Sequence, residues 1–172
     1  MRIEPTTGGK PCPHAFTLIE LILVMTLLVI TTALVAPSLM GFFRGRTLDS
    51  EARQLLSLTH AGQSRAVSEG MPILLWVDAK QNTYGLEEET PAAGGDPKAI
   101  TLQLDDSVRV QVENATSTPI TMGNLPAIRF LPGGTIDENS PHSLRLTDAG
   151  GNTLWLVESA NHMGYEIQET NQ

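Results

Sequence analysis

Residues 21–43 read LILVMTLLVITTALVAPSLMGFF, a run without one charged side chain. At about 1.5 Å of rise per residue, a helix of this length spans roughly 34 Å, which is enough to cross the hydrocarbon core of a bilayer. A core helix of a small protein normally shows a polar face every three or four residues, and this run shows none. The sequence therefore predicts a membrane-spanning helix, in which the hydroxyls of Thr26, Thr31 and Thr32 bond back to carbonyls of the preceding turn.

The remainder of the chain is acidic. The sequence has 172 residues, with 11 Lys and Arg against 19 Asp and Glu, and a formal net charge of −8. From residue 70 onward, 5 basic residues stand against 14 acidic ones. Nucleic-acid phosphates are bound by clustered Lys and Arg, so this balance argues against a nucleic-acid partner. The length suits one compact domain attached to the apolar helix.

Residues 47–69 have the period of an amphipathic helix. Thr47 or Asp49 is expected to cap its start, and Gly70 to end it. Pro37 is expected to loosen or kink the helix where it leaves the apolar run. The predicted apolar face comprises Leu48, Ala52, Leu55, Leu56, Thr59, Gly62 and Ala66, and the predicted polar face comprises Asp49, Glu51, Arg53, Gln54, Gln63 and Arg65.

After Met71 the sequence has the features of strands. Short runs of branched and aromatic residues are separated by turn residues, which predicts an antiparallel, hairpin-rich domain. Residues 87–97, with three consecutive acids and the sequence PAAGG, are predicted to form an exposed loop. The expected fold is α+β, a long helix whose second half packs on an antiparallel sheet domain. The predicted strands cover residues 73–77, 108–113, 144–147 and 153–157.

No motif points to catalysis, because the sequence has no Gly-rich phosphate loop, nucleophile elbow or His-Glu-x-x-His helix. His60, His142 and His162 are widely separated and are interpreted as surface or core residues rather than ligands. The acidic sets at 87–89, 105–106 and 137–138 lack EF-hand spacing, so solvated loops are favoured over a calcium site. We predict no enzyme activity, no cofactor and no metal site.

Residues 15–20, Ala15-Phe16-Thr17-Leu18-Ile19-Glu20, directly precede the apolar run. This stretch resembles the processing site of type IV pilins and type II secretion pseudopilins. The resemblance implies that a prepilin peptidase cuts between Ala15 and Phe16, and that the new amine of Phe16 is methylated. Ala15 stands where the family usually has Gly, and we expect its side chain to slow cleavage.

Glu20 would lie about four residues, roughly 6 Å, inside the membrane edge, where a charge is costly unless it is paired or protonated. The resemblance implies that Glu20 pairs with the Phe16 amine of a neighbouring subunit and sets the axial stagger of a filament. In the alternative, Glu20 extends to lipid headgroups and has no specific partner.

Residues 128–134, IRFLPGG, resemble the Phe-x-Pro-x-Gly stretch of the H-type minor pseudopilins (GspH) and of the related FimT and FimU pilins. The family positions are Phe130, Pro132 and Gly134, with a structural role. The resemblance implies a pilin-like fold with a leader at 1–15, an apolar helix at 16–43, an amphipathic continuation at 44–70 and a periplasmic β domain at 71–172.

The expected function is that of a minor pseudopilin of a type II secretion system, anchored by a single pass in the bacterial inner membrane. The expected partners are other pseudopilins, prepilin peptidase, inner-membrane lipid, and a secreted substrate or the secretin. One alternative is a FimT- or FimU-like minor pilin of a type IV pilus. The other is a secreted or singly anchored β protein or enzyme without a filament role, which an ordinary signal-peptidase cut, for example after Ala33, would support.

Overall fold

A computed structural model describes residues 17–91, 93–113 and 118–169, without the side chains of residues 36–44. The first element of this part of the chain is one long helix, α1 (Leu18–Glu69). α1 includes Pro37, so the expected loosening there does not end the helix. The helix start predicted at Thr47 or Asp49 is therefore wrong, because the preceding turn already supplies carbonyl acceptors to the backbone N–H groups there. The chain divides into two compact units, Met1–Leu39 and Met40–Gln172.

Gly70 ends α1 as predicted. Its N–H donates to the carbonyl of Ala66 at 3.0 Å, and its φ of 69° lies in the left-handed region that glycine adopts without strain.

Two antiparallel sheets follow the helix. Their strands are β1 (Ile73–Asp78), β2 (Thr83–Glu88), β3 (Ile100–Gln103), β4 (Val108–Glu113), β5 (Thr121–Met122), β6 (Leu125–Phe130), β7 (Ser143–Asp148), β8 (Thr153–Glu158) and β9 (Tyr165–Glu169). Sheet A has the strand order β3-β2-β1-β6-β5, and sheet B has the order β4-β7-β8-β9. Among the described residues, every strand pairing is antiparallel, as predicted.

The four predicted strands are confirmed as β1, β4, β7 and β8, whereas the other five were not predicted as strands. The loop predicted at 87–97 begins too early, since Glu87 and Glu88 are the last residues of β2 and pair with Leu74 and Ile73 of β1. Acidic residues have low strand propensity, but an adjacent strand that supplies backbone partners outweighs it.

The apolar face predicted for the second half of α1 is confirmed, because it packs with both sheets in one core. Along β7, buried and partly exposed residues alternate strictly, and Leu144 and Leu146 are among the buried ones. Burying an apolar side chain of this size contributes about 1.5–3 kcal/mol. The core comprises Leu48, Ala52, Leu55, Leu58 and Ala66 of α1 with Ile73, Leu75, Val77, Tyr84, Leu86, Leu104, Val108, Val110, Ile128, Phe130, Ile136, Leu144, Leu146, Leu154, Leu156 and Tyr165.

Gly62 allows the helix to approach sheet A closely. A Cβ atom at this position would lie 2.7 Å from Leu86 Cδ1 and 2.7 Å from Phe130 Cε2, which is too close for any side chain. The ring of Phe130 is fully buried against this gap. A larger residue at position 62 would therefore push α1 away from β2 and β6.

Both tyrosines are buried, and among the described residues only the hydroxyl of Tyr165 has a hydrogen-bond partner. Tyr165 Oη donates to the buried carbonyl of Pro141. Tyr84 Oη has no hydrogen-bond partner among the described residues. Burial, and secondarily the charge of Glu51, raises the pKa of Tyr84 to about 12.

This pair predicts opposite effects for the same chemical change. Tyr165→Phe should lower the free energy of unfolding by about 1–3 kcal/mol, because it leaves the Pro141 carbonyl buried and unpaired. Tyr84→Phe should leave the free energy of unfolding unchanged or slightly higher, because the substitution removes a buried polar atom that has no protein partner. Urea unfolding of the full chain in detergent, followed by tryptophan fluorescence, measures both. Equal losses in the two variants would contradict the assignment.

Candidate functional site

Thr17 and Glu20 organise the start of α1. The Glu20 N–H donates to the Thr17 carbonyl at 3.1 Å and to Thr17 Oγ1 at 3.3 Å, so Thr17 acts as the N-cap. Glu20 stands three residues after the cap, in the first turn, where a carboxylate complements the helix dipole. Its side chain is exposed. The predicted cleavage residues Ala15 and Phe16 lie outside the described residues.

The segment that follows is an exposed apolar surface. Leu18–Val35 has a mean hydropathy of 2.6, and no part of it is buried. The predicted hydroxyl bonds are confirmed, with Thr26 Oγ1 donating to Ile22 O at 2.7 Å and Thr32 Oγ1 donating to Leu28 O at 2.7 Å. Thr31 Oγ1 likewise bonds the carbonyls of Leu27 and Leu28 at 3.0 Å. Because every hydroxyl is satisfied within the helix, the segment presents an apolar surface to lipid or to another helix.

The Phe130-x-Pro132-x-Gly134 stretch connects sheet A to the helix. Phe130 packs at Gly62, and Pro132 lies exposed in the turn that follows β6. The Gly134 N–H donates to Leu131 O at 2.9 Å, and its φ is 83°. The turn is held to α1 by Gln63, whose Nε2 donates to the carbonyl of Gly134 and, at 2.9 Å, to that of Met163.

Arg65 holds a second loop against the last turns of α1. Arg65 Nη2 lies 2.7 Å from Asp96 Oδ1, and Nη1 lies 2.8 Å from Asp96 Oδ2, a two-pronged pair. Further contacts reach Glu88 and Glu69, both at 3.0 Å. The Asp96 carboxylate is fully buried, and the Arg65 hydrogen bonds, with the backbone N–H groups of Lys98 and Glu88, lower the pKa of Asp96 to about 2.

These residues correct two sequence predictions. The sequence predicts Arg65 on the polar face of α1, but its side chain is only 10% exposed; the Asp96 side chain, in the predicted exposed loop, is buried. Gln63, also assigned to the polar face, bonds two loops. The sequence signal that pointed to a role for Arg65 was its charge. It is a single arginine near the end of the helix, followed by four acidic residues within 87–96 that it could pair with.

Of His60, His142 and His162, which are widely separated in the sequence, the last two converge on one carboxylate, that of Glu158. His142 Nδ1 lies 2.7 Å from Glu158 Oε2, and His162 Nδ1 lies 2.7 Å from Glu158 Oε1. The Glu158 carboxylate is 4% exposed, whereas both rings are about half exposed. The hydrogen bond and charge of Glu158, with a smaller effect of Glu138, raise the pKa of His162.

The geometry favours packing rather than chemistry. Within residues 17–91, 93–113 and 118–169, three or more His, Cys, Asp or Glu side chains nowhere form a group that could hold a metal ion. The polar clusters of Arg65 and Glu158 are internally paired and tie loops together. The features available to a partner are therefore the exposed apolar helix and the surface of the domain.

Comparisons with known proteins agree with this arrangement. The family described as type II transport protein GspH matches residues 51–161. No curated protein sequence matches the chain. One structure of the minor pseudopilin EpsH from the type II secretion system of Vibrio cholerae, at 12% identity, has a TM-score of 0.54 and covers 72% of this chain and 98% of its own. A second EpsH structure, at 10% identity, has a TM-score of 0.55 and covers 74% and 96%.

The Glu158 cluster predicts a pH dependence of stability. Because the folded pKa of His162 is raised, its contribution is fully present below the unfolded value of about 6.5 and is lost as the pH rises through the folded pKa. The free energy of unfolding should thus decrease as the pH rises through that window, and His162→Gln should make this decrease smaller. Glu158→Gln should flatten it too, which urea titrations at several pH values can check. A His162→Gln profile parallel to that of the wild type would disprove the linkage.

Proposed function

This chain belongs to the GspH family of type II transport proteins, and from that premise we propose that it is a minor pseudopilin, assembled through its apolar helix into a periplasmic pseudopilus that promotes protein export. The family consists of structural pseudopilins, which are non-enzymatic components of the secretion machinery and interact with other pseudopilins. Family and helix together fit a single-pass membrane-anchored protein.

The observation that carries the proposal is the exposed segment Leu18–Val35. A helix this apolar with no buried part requires either lipid or other helices around it. Its start is capped by Thr17, and Glu20 is its one charged side chain. A segment of this kind supports membrane insertion before assembly and helix packing afterwards.

Processing is the first step of the proposed pathway. A prepilin peptidase cuts between Ala15 and Phe16 on the cytoplasmic side, and the Phe16 amine is methylated. The acidic domain after Gly70 lies in the periplasm, where it meets neighbouring subunits, the secreted substrate or the secretin. The cut would leave Thr17 as the second residue of the mature chain, so the capped helix would begin almost at the mature N-terminus.

Glu20 is proposed to fix the stagger between subunits. Its side chain is exposed, four residues or about one helical turn after the proposed N-terminus, and it would pair with the Phe16 amine of a neighbour. An acid this close to the membrane edge needs a partner, which supports a specific pairing in the filament. The two bonds from the Glu20 N–H to Thr17 do not involve the Glu20 side chain, so they remain when that side chain is changed.

The mature N-terminus tests the proposal directly. We expect intact-mass measurement of the membrane protein to give a chain that starts at N-methylated Phe16. A chain that starts near Leu34 would end the proposal, because ordinary signal peptidase would have removed the apolar helix.

We further expect Ala15→Gly to speed processing, because glycine removes the side chain that is expected to slow cleavage at this bond. Pulse-chase gels of leader removal compare the two forms. Equal cleavage rates would show that Ala15 is no handicap.

Substitutions at Glu20 should separate processing from assembly. Glu20→Ala and Glu20→Gln should be cleaved nearly normally but should enter the filament about tenfold less, the change that about 1.4 kcal/mol of lost pairing produces. Glu20→Asp, which keeps the charge, is the matched control and should retain more incorporation than either. Co-purification with other pseudopilins measures the effect, and normal incorporation of Glu20→Gln would refute the pairing.

A further inference from the structure

A cavity of about 700 Å³ opens within residues 40–172, between the helix and the turn that joins β7 to β8. On the helix side it is lined by Gly45, Leu48 and Asp49. On the sheet side it is lined by Arg145, Trp155, Glu169 and the exposed turn at 150–152. We call it the turn cavity.

The walls of the turn cavity carry an aromatic ring and charges of both signs. The Arg145 guanidinium lies 5.5 Å from the centroid of the Trp155 ring, in a cation–π arrangement. The Arg145 side chain donates to Gln111 Oε1 and lies 3.9 Å from Glu113 Oε1, and it is 38% exposed, so part of it still faces solvent. Asp49, itself 2.8 Å from Arg53, and Glu169 supply carboxylates on other walls. A ligand with both a phosphate and an amine would match these charges.

The helix side of the turn cavity lies close to the end of the apolar run. Gly45 stands two residues after Phe43, and residues 44 and 46 are both arginine. Counted at about 1.5 Å per residue from a membrane edge at residue 16, a bilayer of about 40–45 Å including its headgroups reaches residues 43–46, so Gly45 falls at the outer edge of the headgroup layer. Tryptophan and arginine are the side chains that favour this layer.

We propose that the turn cavity binds phospholipid headgroups of the membrane that the apolar helix crosses. Arg145 meets the phosphate, Trp155 lies at the level of the headgroups, and Asp49 and Glu169 meet the amine. The domain is acidic overall and is repelled by an anionic surface, so a zwitterionic ethanolamine lipid is the better complement. The inference rests on the membrane anchoring in the proposed function.

Label quenching in vesicles tests the proposal. The full chain carries Cys12→Ser and one new cysteine, either Ala149→Cys beside the turn or Met163→Cys, and each bears an environment-sensitive fluorophore. Met163 is 58% exposed and contacts Gln63, which is 14 residues after Asp49 on α1, or about 21 Å along the helix. The vesicles contain phosphatidylethanolamine, a little phosphatidylglycerol and a headgroup-nitroxide lipid.

The headgroup nitroxide should quench the label at position 149 several-fold more than the label at position 163. Arg145→Glu should reduce quenching at 149 while circular dichroism stays unchanged. Equal quenching at the two positions, or no effect of Arg145→Glu, overturns the proposal. Self-contact between labels at 149 that depends on protein concentration, without lipid quenching, would assign the surface to a second copy and also overturn it.

Vesicle flotation separates this proposal from the one it rests on. Protein that floats with the vesicles but shows no quenching at 149 overturns the headgroup site alone. Protein that does not float overturns the membrane anchor and the headgroup site together.

Discussion

The contact between Gly62 and the ring of Phe130 is the constraint on which the packing of the domain depends. Phe130 Cε2 occupies space 2.7 Å from where a Cβ of residue 62 would stand, so the helix and sheet A meet at a distance that only glycine permits. The neighbouring Gln63 then bonds the turn after β6 and the loop at Met163. Two adjacent helical residues thus set the position of sheet A and tie in one loop from each half of the β domain.

The helix serves two environments with one backbone. Residues 18–35 keep their side chains exposed and satisfy their threonine hydroxyls internally, whereas residues 48–66 bury a stripe against two sheets. A helix can do both because its backbone hydrogen bonds are made within the segment and need neither water nor a partner. Contacts made by the exposed segment would therefore leave the domain core intact.

Buried charge in the domain holds loops rather than performing chemistry. Arg65 compensates the fully buried carboxylate of Asp96, and a buried ion pair that loses one partner typically costs about 3–5 kcal/mol. Glu158 holds two imidazoles from separate segments in a similar way. Loops fixed by such pairs present a defined surface, which suits a protein that acts through contacts with neighbours.

The sequence by itself determined the apolar helix, its threonine bonds, the Gly70 stop, the amphipathic stripe and four of the strands, because each depends on local periodicity or turn chemistry. It also pointed to the family through residues 15–20 and 128–134. Only the tertiary structure decided that β2, β3, β5, β6 and β9 are strands, since their backbone partners come from distant segments. It likewise decided the roles of Gly62, Gln63, Arg65 and Asp96, because a close approach or a buried pair exists only when two separate parts of the chain meet.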